Sequence, residues 1–288
     1  MTPSTTGPVV ACRLWEDRRA AVDPLSGEVR RDPRTSGASP ADDAALEIAL
    51  QLAEAWGTHV VAVTVGAAKS DVVLRDALAA GARRAVRVAA DISQLDAGAA
   101  AASIAGVARD IDASTVLCGD MGTAYGSGAV PALVAASLGA RQALGLVELS
   151  GEPGRPGVVT GWRRLDGGRR QQLRVAPPAV VSVEGGVARL RRAALSNVLD
   201  AGTAAIEVWP TVAGSHAPVP SWTAASSGPG RPRTHVVDGP DPELPVRRRV
   251  ELLTGVTTER AARRVLRAEP AEAAHELVAA LADWGEWG

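Results

Sequence analysis

The stretch Cys118 to Gly128, CGDMGTAYGSG, holds the residue types most able to bind a charged group. It leaves an apolar run and leads into a helical pattern over Ala129 to Leu138. At the C-terminal end of a parallel strand, a Gly-rich turn and a helix N-terminus turn free N–H groups and the helix dipole toward an anion. The glycines do not match GxGxxG and the loop lacks the Gly-Lys-Ser/Thr of a Walker loop, so a phosphate cradle and a plain tight turn are both open readings. Catalytic chemistry is harder to assemble. His59, His216, His235 and His275 are scattered without metal-ligand spacing, and none sits beside a candidate nucleophile. At the strand tips the only polar catalytic candidate is Asp120. Cys12 and Cys118 each end an apolar run, in no CxxC or Cys/His pattern, and read as reduced core thiols.

The elements that would position these residues follow from periodicity. Short apolar runs at Pro8 to Leu14, His59 to Val65, Ala85 to Ala89 and Ser114 to Cys118 read as strands. Between them, Asp42 to Trp56, Lys69 to Ala80 and Gly98 to Ile111 carry apolar residues at helical spacing. That alternation predicts a parallel sheet covered on both faces by helices. Ser39-Pro40 suits the start of the first helix, and Ser70-Asp71 lies near the start of the second. After Gly139 the runs Ala143 to Leu149, Gly157 to Trp162, Gln171 to Val175 and Ala179 to Glu184 are broken by Gly, Pro and Asp-Gly-Gly, which predicts an antiparallel excursion. Pro210 to Pro245 is dense in Pro, Gly and Ser and reads as a linker. Beyond it, Thr257 to Ala268 and Pro270 to Trp284 read as helices, the second with an apolar stripe through Ala273, Ala274, Leu277, Val278, Leu281 and Trp284. The expected organisation is therefore a main α/β domain over 1–209, a linker over 210–246 and a helical arm over 247–288.

Composition narrows the function classes. With 288 residues and 46% hydrophobic content the chain can bury a full core. Its apolar residues are mostly Ala, Val and Leu, with no Phe and one Tyr, so helices are expected to pack closely on small side chains. A net charge of −1 supplies no overall field for nucleic acid or an anionic membrane. The basic residues Arg247 to Arg249, Arg260, Arg263, Arg264 and Arg267 alternate with Glu251, Glu259, Glu269 and Glu272, which reads as a solvated helix face. No run approaches the ~20 apolar residues that span a bilayer, and no leader pattern opens the chain, so a cytoplasmic location is expected.

One further pattern runs from Gly161 to Leu199. Arg163 precedes Asp166-Gly167-Gly168; a strand passes through Leu173; Pro178-Ala179-Val180-Val181 and Ser182 follow; then come Arg191, Leu195, Ser196 and Asn197. This order resembles the beta subunit of electron transfer flavoproteins, and the resemblance covers about Pro8 to Pro210. It implies an adenine nucleotide alpha hydrolase-like α/β fold and a heterodimer with an alpha subunit that holds most of the FAD. It also implies a carrier rather than an enzyme, with Arg191, Leu195 and Asn197 in an exposed loop that meets a partner dehydrogenase. Leu195 is equally open to local packing.

By the same resemblance Ala11 and Arg13 follow the first strand near the adenine of a beta-subunit nucleotide, and Ser39-Pro40 stands for the family's Asn-Pro. Arg13 is equally readable as an ordinary surface charge, and Ser39 as a helix cap. The phosphate of a structural AMP, or of a second FAD in bifurcating members, would meet Gly119, Asp120, Gly126, Ser127, Gly128, Ala129 and Val130. Ala124, Tyr125 and Gly126 take the family's acidic positions, and Gly128, Ala129 and Val130 its polar ones. Losing two side-chain hydrogen bonds to a charged phosphate weakens binding by about two to four orders of magnitude, leaving AMP only backbone donors. The Gly126 to Pro131 loop, Gln142-Ala143-Leu144-Gly145 and Glu269 to Ala274 further resemble the beta subunits found with the mycofactocin system. A competing reading is a homo-oligomeric adenine-nucleotide-binding regulator of the same fold; a nucleotide-dependent hydrolase or ligase ranks below both.

Overall fold

Val9–Cys12 (β1) is buried along its whole length, as a central parallel strand covered on both faces must be. The computed structural model describes residues 7–17, 19, 21–23, 29–30, 32, 34–90, 96–122, 126–210, 239–254 and 267–283. Two short antiparallel pairs follow β1: Glu16–Asp17 (β2) joins Ser36–Gly37 (β5), and between them Ala21–Val22 (β3) joins Val29–Arg30 (β4). Then helices and strands alternate: Pro40–Trp56 (α1), Val60–Gly66 (β6), Asp71–Ala80 (α2), Arg84–Ala89 (β7), Ala97–Asp110 (α3), Thr115–Gly119 (β8) and Ala129–Leu138 (α4). Arg141–Gly151 (β9), Val159–Arg164 (β10), Arg170–Val175 (β11) and Ala179–Val183 (β12) come next. Leu195–Thr203 (α5) and Glu207–Trp209 (β13) close this part, and Val246–Thr254 (α6) and Pro270–Asp283 (α7) follow later in the chain.

These strands form one nine-stranded sheet in the order β11-β10-β9-β12-β8-β1-β6-β7-β13. Seven of them, β9 to β13 in that order, run parallel; β10 and β11 fold back antiparallel at one edge. The fold is thus the expected α/β sheet with an antiparallel excursion and C-terminal helical segments. The period-2 rule divides its core in two. Val9 and Ala11 of β1 and Leu117 of β8 pack with Ala44, Ala45 and Ala49 of α1. Val10, Cys12, Val116 and Cys118 face Ile104 and Ala105 of α3 and Val134 of α4 on the other side. Alanine at most of the helix contacts lets α1 and α3 lie close on a sheet built from Val.

Start and stop signals act as local chemistry requires. The Ser39 Oγ accepts the Asp42 N–H (3.0 Å), Pro40 opens α1, and Gly57 ends it with φ 65°. A 3₁₀ turn at Ala68–Ser70 leads into α2 where a single helix from Lys69 is expected from periodicity. Two elements differ more. The segment at Leu195, expected as a loop, opens helix α5, and the edge strand β13, only three residues long, left no readable alternation. The residues 211–238 of the expected linker, 257–266 of the expected helix at Thr257 to Ala268, and Trp284 of the apolar stripe lie outside the described residues. Contacts divide the chain into two compact units, 1–230 and 231–288. In the second unit α6 exposes Leu253 and α7 exposes Leu277 and Val278.

Candidate functional site

From β1 the chain winds outward through β6 and β7 on one side and then crosses to β8 on the other. Loops leaving the C-terminal ends of β1 and β8 therefore diverge, and the crevice between them is where doubly wound sheets take ligands. A cavity of about 370 Å³ opens at that point. Its walls come from Cys12 of β1, Val65 of β6, Cys118 and Gly119 of β8, and Ala97 and Ala100 of α3. Asp120, Met121, Gly122, Gly126, Ser127 and Gly128, with the first turn of α4, form the rim.

Asp42 ties this corner together. The Ser39 cap and Pro40 fix the first turn of α1 so that the Asp42 carboxylate reaches both strand ends. Its Oδ2 accepts the Leu14 N–H (3.2 Å) and its Oδ1 the Gly119 N–H (3.1 Å). Burial pushes the Asp42 carboxyl up to about 6, against the opposing pull of the Arg13 charge and of those two N–H donors. Arg13 itself is only 1% exposed, so its reading as a surface charge is corrected. Its Nε donates to the Val73 carbonyl, its Nη1 to the Asp42 carbonyl and its Nη2 to Asp43 Oδ1. A buried guanidinium needs its donors satisfied, and these three acceptors, one of them a carboxylate, let Arg13 remain in the interior.

Gly119 is needed for this junction. A Cβ there would lie 2.7 Å from Asp42 Oδ1, 2.8 Å from Ala41 Cβ and 2.9 Å from the Ala41 carbonyl carbon. All three contacts are with residues of α1, two of them with Ala41 at its start, and the helix cannot yield without leaving the sheet. Gly119→Ala is expected to cost about 1–3 kcal/mol in chemical denaturation. A wild-type unfolding midpoint would show that α1 is less firmly seated than this.

Of the residues expected at the site, Gly119, Asp120, Gly126, Ser127, Gly128, Ala129 and Val130 all line the cavity. Ala11, Arg13 and Ser39 do not: Ala11 is fully buried in β1 against α1, Arg13 is caged as above, and Ser39 caps α1. Asp120 is pushed upward by burial and by the Glu184 charge. Ala124 and Tyr125 lie outside the described residues. Residues that motif reading passed over are Trp15, Glu16, Asp42 and Asp96, together with the two cysteines. The register Ala11 beside Leu117 makes Cys12 and Cys118 neighbours, and both thiols are free and buried. Their mutual hydrogen bond, together with burial, pushes the Cys12 thiol well up. Only the Ser39-x-x-Asp42 spacing carried a local signal for any of these.

A second region gathers around α5. Leu195 is 74% exposed, with Val198 and Leu199 exposed beside it. Arg75 of α2 caps the far end of this helix, its Nη1 donating to the carbonyls of Ala201 (2.6 Å), Gly202 (2.8 Å) and Ala204 (3.2 Å). Before the helix, Arg191 donates from N and Nε to Glu47 Oε2 (3.0 and 2.9 Å), from Nη2 to Glu47 Oε1 (2.9 Å), and also to Glu54. Arg191 is thus engaged within the chain, and Asn197 is exposed on the helix. A nine-residue helix is marginal by itself, so these two arginine clamps fix it in place.

Known proteins settle what this combination belongs to. The Electron transfer flavoprotein domain profile matches residues 31–213. The chain belongs to the electron transfer flavoprotein family. The match takes in every strand from β5 to β13, so the family assignment rests on the whole sheet apart from β1 and not on the Gly161 to Leu199 signature alone. This electron transfer flavoprotein chain is 32% identical over 169 residues to the electron transfer flavoprotein subunit beta of Methylophilus methylotrophus, covering 58% of this chain and 64% of that protein. It is 28% identical over 209 residues to Protein FixA of Rhizobium meliloti (strain 1021), covering 70% and 71% of the two chains. Among the described residues no group of three or more His, Cys, Asp or Glu could hold a metal ion, and no helix is long and apolar enough to cross a membrane.

Proposed function

We propose that this chain is the beta subunit of a heterodimeric electron transfer flavoprotein, passing electrons from a dehydrogenase to a downstream acceptor through FAD at the subunit interface. The observation that carries the reading is the family match across 31–213 together with a short apolar helix clamped at both ends in the place of the family's recognition loop. FAD, when bound, supplies the one- and two-electron chemistry. The cavity beside β1 and β8 does not fit its two phosphates, because carboxylates line it, so in this reading the alpha subunit holds the flavin. This chain then contributes a wall and two docking surfaces, and it works in the cytoplasm. The main domain over 1–209, the linker over 210–246 and the helical arm over 247–288 belong to the same proposal. The finer resemblance at Gly126 to Pro131, Gln142 to Gly145 and Glu269 to Ala274 makes the electron donor a mycofactocin-linked dehydrogenase.

The test is the visible spectrum of the protein purified by tag from its native host, with identification of any co-eluting chain. Flavin bands with a second chain of similar size support the carrier. A colourless homo-oligomer overturns it in favour of the adenylate-binding regulator. Within the carrier, Leu195→Asp is expected to leave the unfolding midpoint unchanged, since Leu195 is exposed. It should slow flavin reduction by the partner dehydrogenase about tenfold or more, as loss of an apolar interface anchor does. Equal reduction rates for variant and wild type would remove α5 from the docking surface.

A further inference from the structure

Leu195, Val198 and Leu199 form one exposed face only while α5 is helical, and the sequence of α5 does little to keep it so. Ser196, Asn197, Val198, Asp200, Gly202 and Thr203 all rank low as helix formers, which leaves three of its nine residues in favour of the helix. Ala194 precedes it without a side-chain cap, and Ala201 alone of the nine is buried. A shallow cleft of about 270 Å³ lies between Leu78 and Ala82 on one side and Asn197, Asp200 and Ala204 on the other, where close packing would otherwise seat the helix on α2.

Arg75, half-buried on α2, supplies what packing does not. Its Nη1 donates to the carbonyls of Ala201, Gly202 and Ala204, which lie 126, 127 and 129 residues away. Carbonyls at a helix end have no partner within the helix, and a cation beside them also opposes the negative end of the helix dipole. Arg191 acts differently: it bonds Glu47 and Glu54 of α1 and so anchors the chain before the helix, not the helix itself.

We propose that Arg75 is a positioning residue for dehydrogenase docking, holding α5 in helical form before the partner arrives. The inference rests on α5 being the docking helix of the carrier. A partner that meets a preformed helix loses no binding free energy to ordering it, so the clamp acts on affinity and not on electron transfer. All three bonds leave a single nitrogen, so the role needs a cation with N–H donors at that point and not the planar fork of a guanidinium.

The first test is hydrogen exchange on the protein as purified with its co-eluting chain. In Arg75→Ala the amides from Val198 to Thr203 should exchange about tenfold or more faster than in wild type, with those of β1 and β8 unchanged. The second test is steady-state flavin reduction by a dehydrogenase purified from the native host on its ability to reduce the wild-type protein. Arg75→Ala should raise KM about tenfold and leave kcat unchanged. Arg75→Lys, which keeps three N–H donors on one charged nitrogen, should bring KM back to within about threefold of wild type. On a Leu195→Asp background Arg75→Ala should add about twofold at most, because the face it presents is already spoiled.

Unchanged exchange in α5, a fall in kcat with KM unmoved, fully additive effects, or an Arg75→Lys variant as impaired as Arg75→Ala would each overturn the proposal. A KM that responds to Leu195→Asp and not to Arg75→Ala removes Arg75 alone. A KM that responds to neither removes the docking role of α5, and the proposal with it.

Discussion

Asp42→Asn is expected to change the pH dependence of stability by about 3 kcal/mol between pH 4 and 6. The Asp42 carboxyl is held at about 6 in the folded chain against an ordinary value of 3.8. At 1.36 kcal/mol per pH unit, the difference amounts to roughly 3 kcal/mol. The sign follows from proton uptake: with its folded value raised, the native state binds the proton more tightly than the unfolded chain. Asp42 therefore favours folding fully below pH 3.8, and that advantage is lost as pH rises to about 6. Asn carries no such titration. Across that window the variant should gain on wild type by about 3 kcal/mol, and the two curves should run parallel above pH 7. Asn also turns one N–H toward a backbone donor, which lowers the variant at every pH by about 1–3 kcal/mol without altering the slope. Denaturant titrations of both proteins at several pH values measure the difference; parallel curves from pH 4 to 7 would show that Asp42 is not held raised. Glu47 and other carboxyls with lowered values tilt both curves the opposite way and cancel in the comparison.

The second large effect is at the clamp before α5. Arg191→Ala removes the partner of Glu47, whose side chain is 8% exposed, and leaves Gln51 Nε2 and one backbone N–H to satisfy it. Breaking a buried pair from one side typically costs 3–5 kcal/mol. Arg191 is 34% exposed, so solvent screening reduces the expectation to about 2–3 kcal/mol. Burial alone pushes the Glu47 carboxyl up, and the hydrogen bonds from Arg191 and Gln51 bring it below its ordinary value. Its stabilisation is therefore present above the ordinary carboxylate range and lost as pH falls through the lowered value. The variant should lack that acid-side loss. Adding Glu47→Gln to Arg191→Ala should recover part of the stability, because it removes the stranded charge. If the double variant is no more stable than Arg191→Ala, the cost lies in lost packing and not in an unpaired carboxylate.

The two parts of the molecule these variants probe were unequally legible. Ser39-Pro40 announced the start of α1, and Ser39 and Asp42 sit three apart, so the helix cap could be read locally. That the same Asp42 would reach Leu14 and Gly119 could not, because Gly119 is 77 residues away and becomes a neighbour only through the β1–β8 pairing. The Gly-rich loop was readable as the cavity rim from its place after an apolar run. Its acidic company was not, since Glu16 and Asp96 both come from separate segments earlier in the sequence. Leu195 was readable as an exposed apolar residue, yet its helix was not: nine residues without a side-chain cap carry too weak a local signal, and the clamps come from α1 and α2.

The sequence by itself determined the alternation of strands and helices, the two faces of the sheet, the antiparallel excursion and the family. Each of these is written in local periodicity or in a short ordered motif, and burial follows periodicity directly. The tertiary structure alone decided the caged Arg13, the neighbouring Cys12 and Cys118, the carboxylate-lined cavity and the Arg191–Glu47 clamp across 144 residues. Strand order and register create those neighbours, and both are set by how whole faces pack, which no single segment encodes.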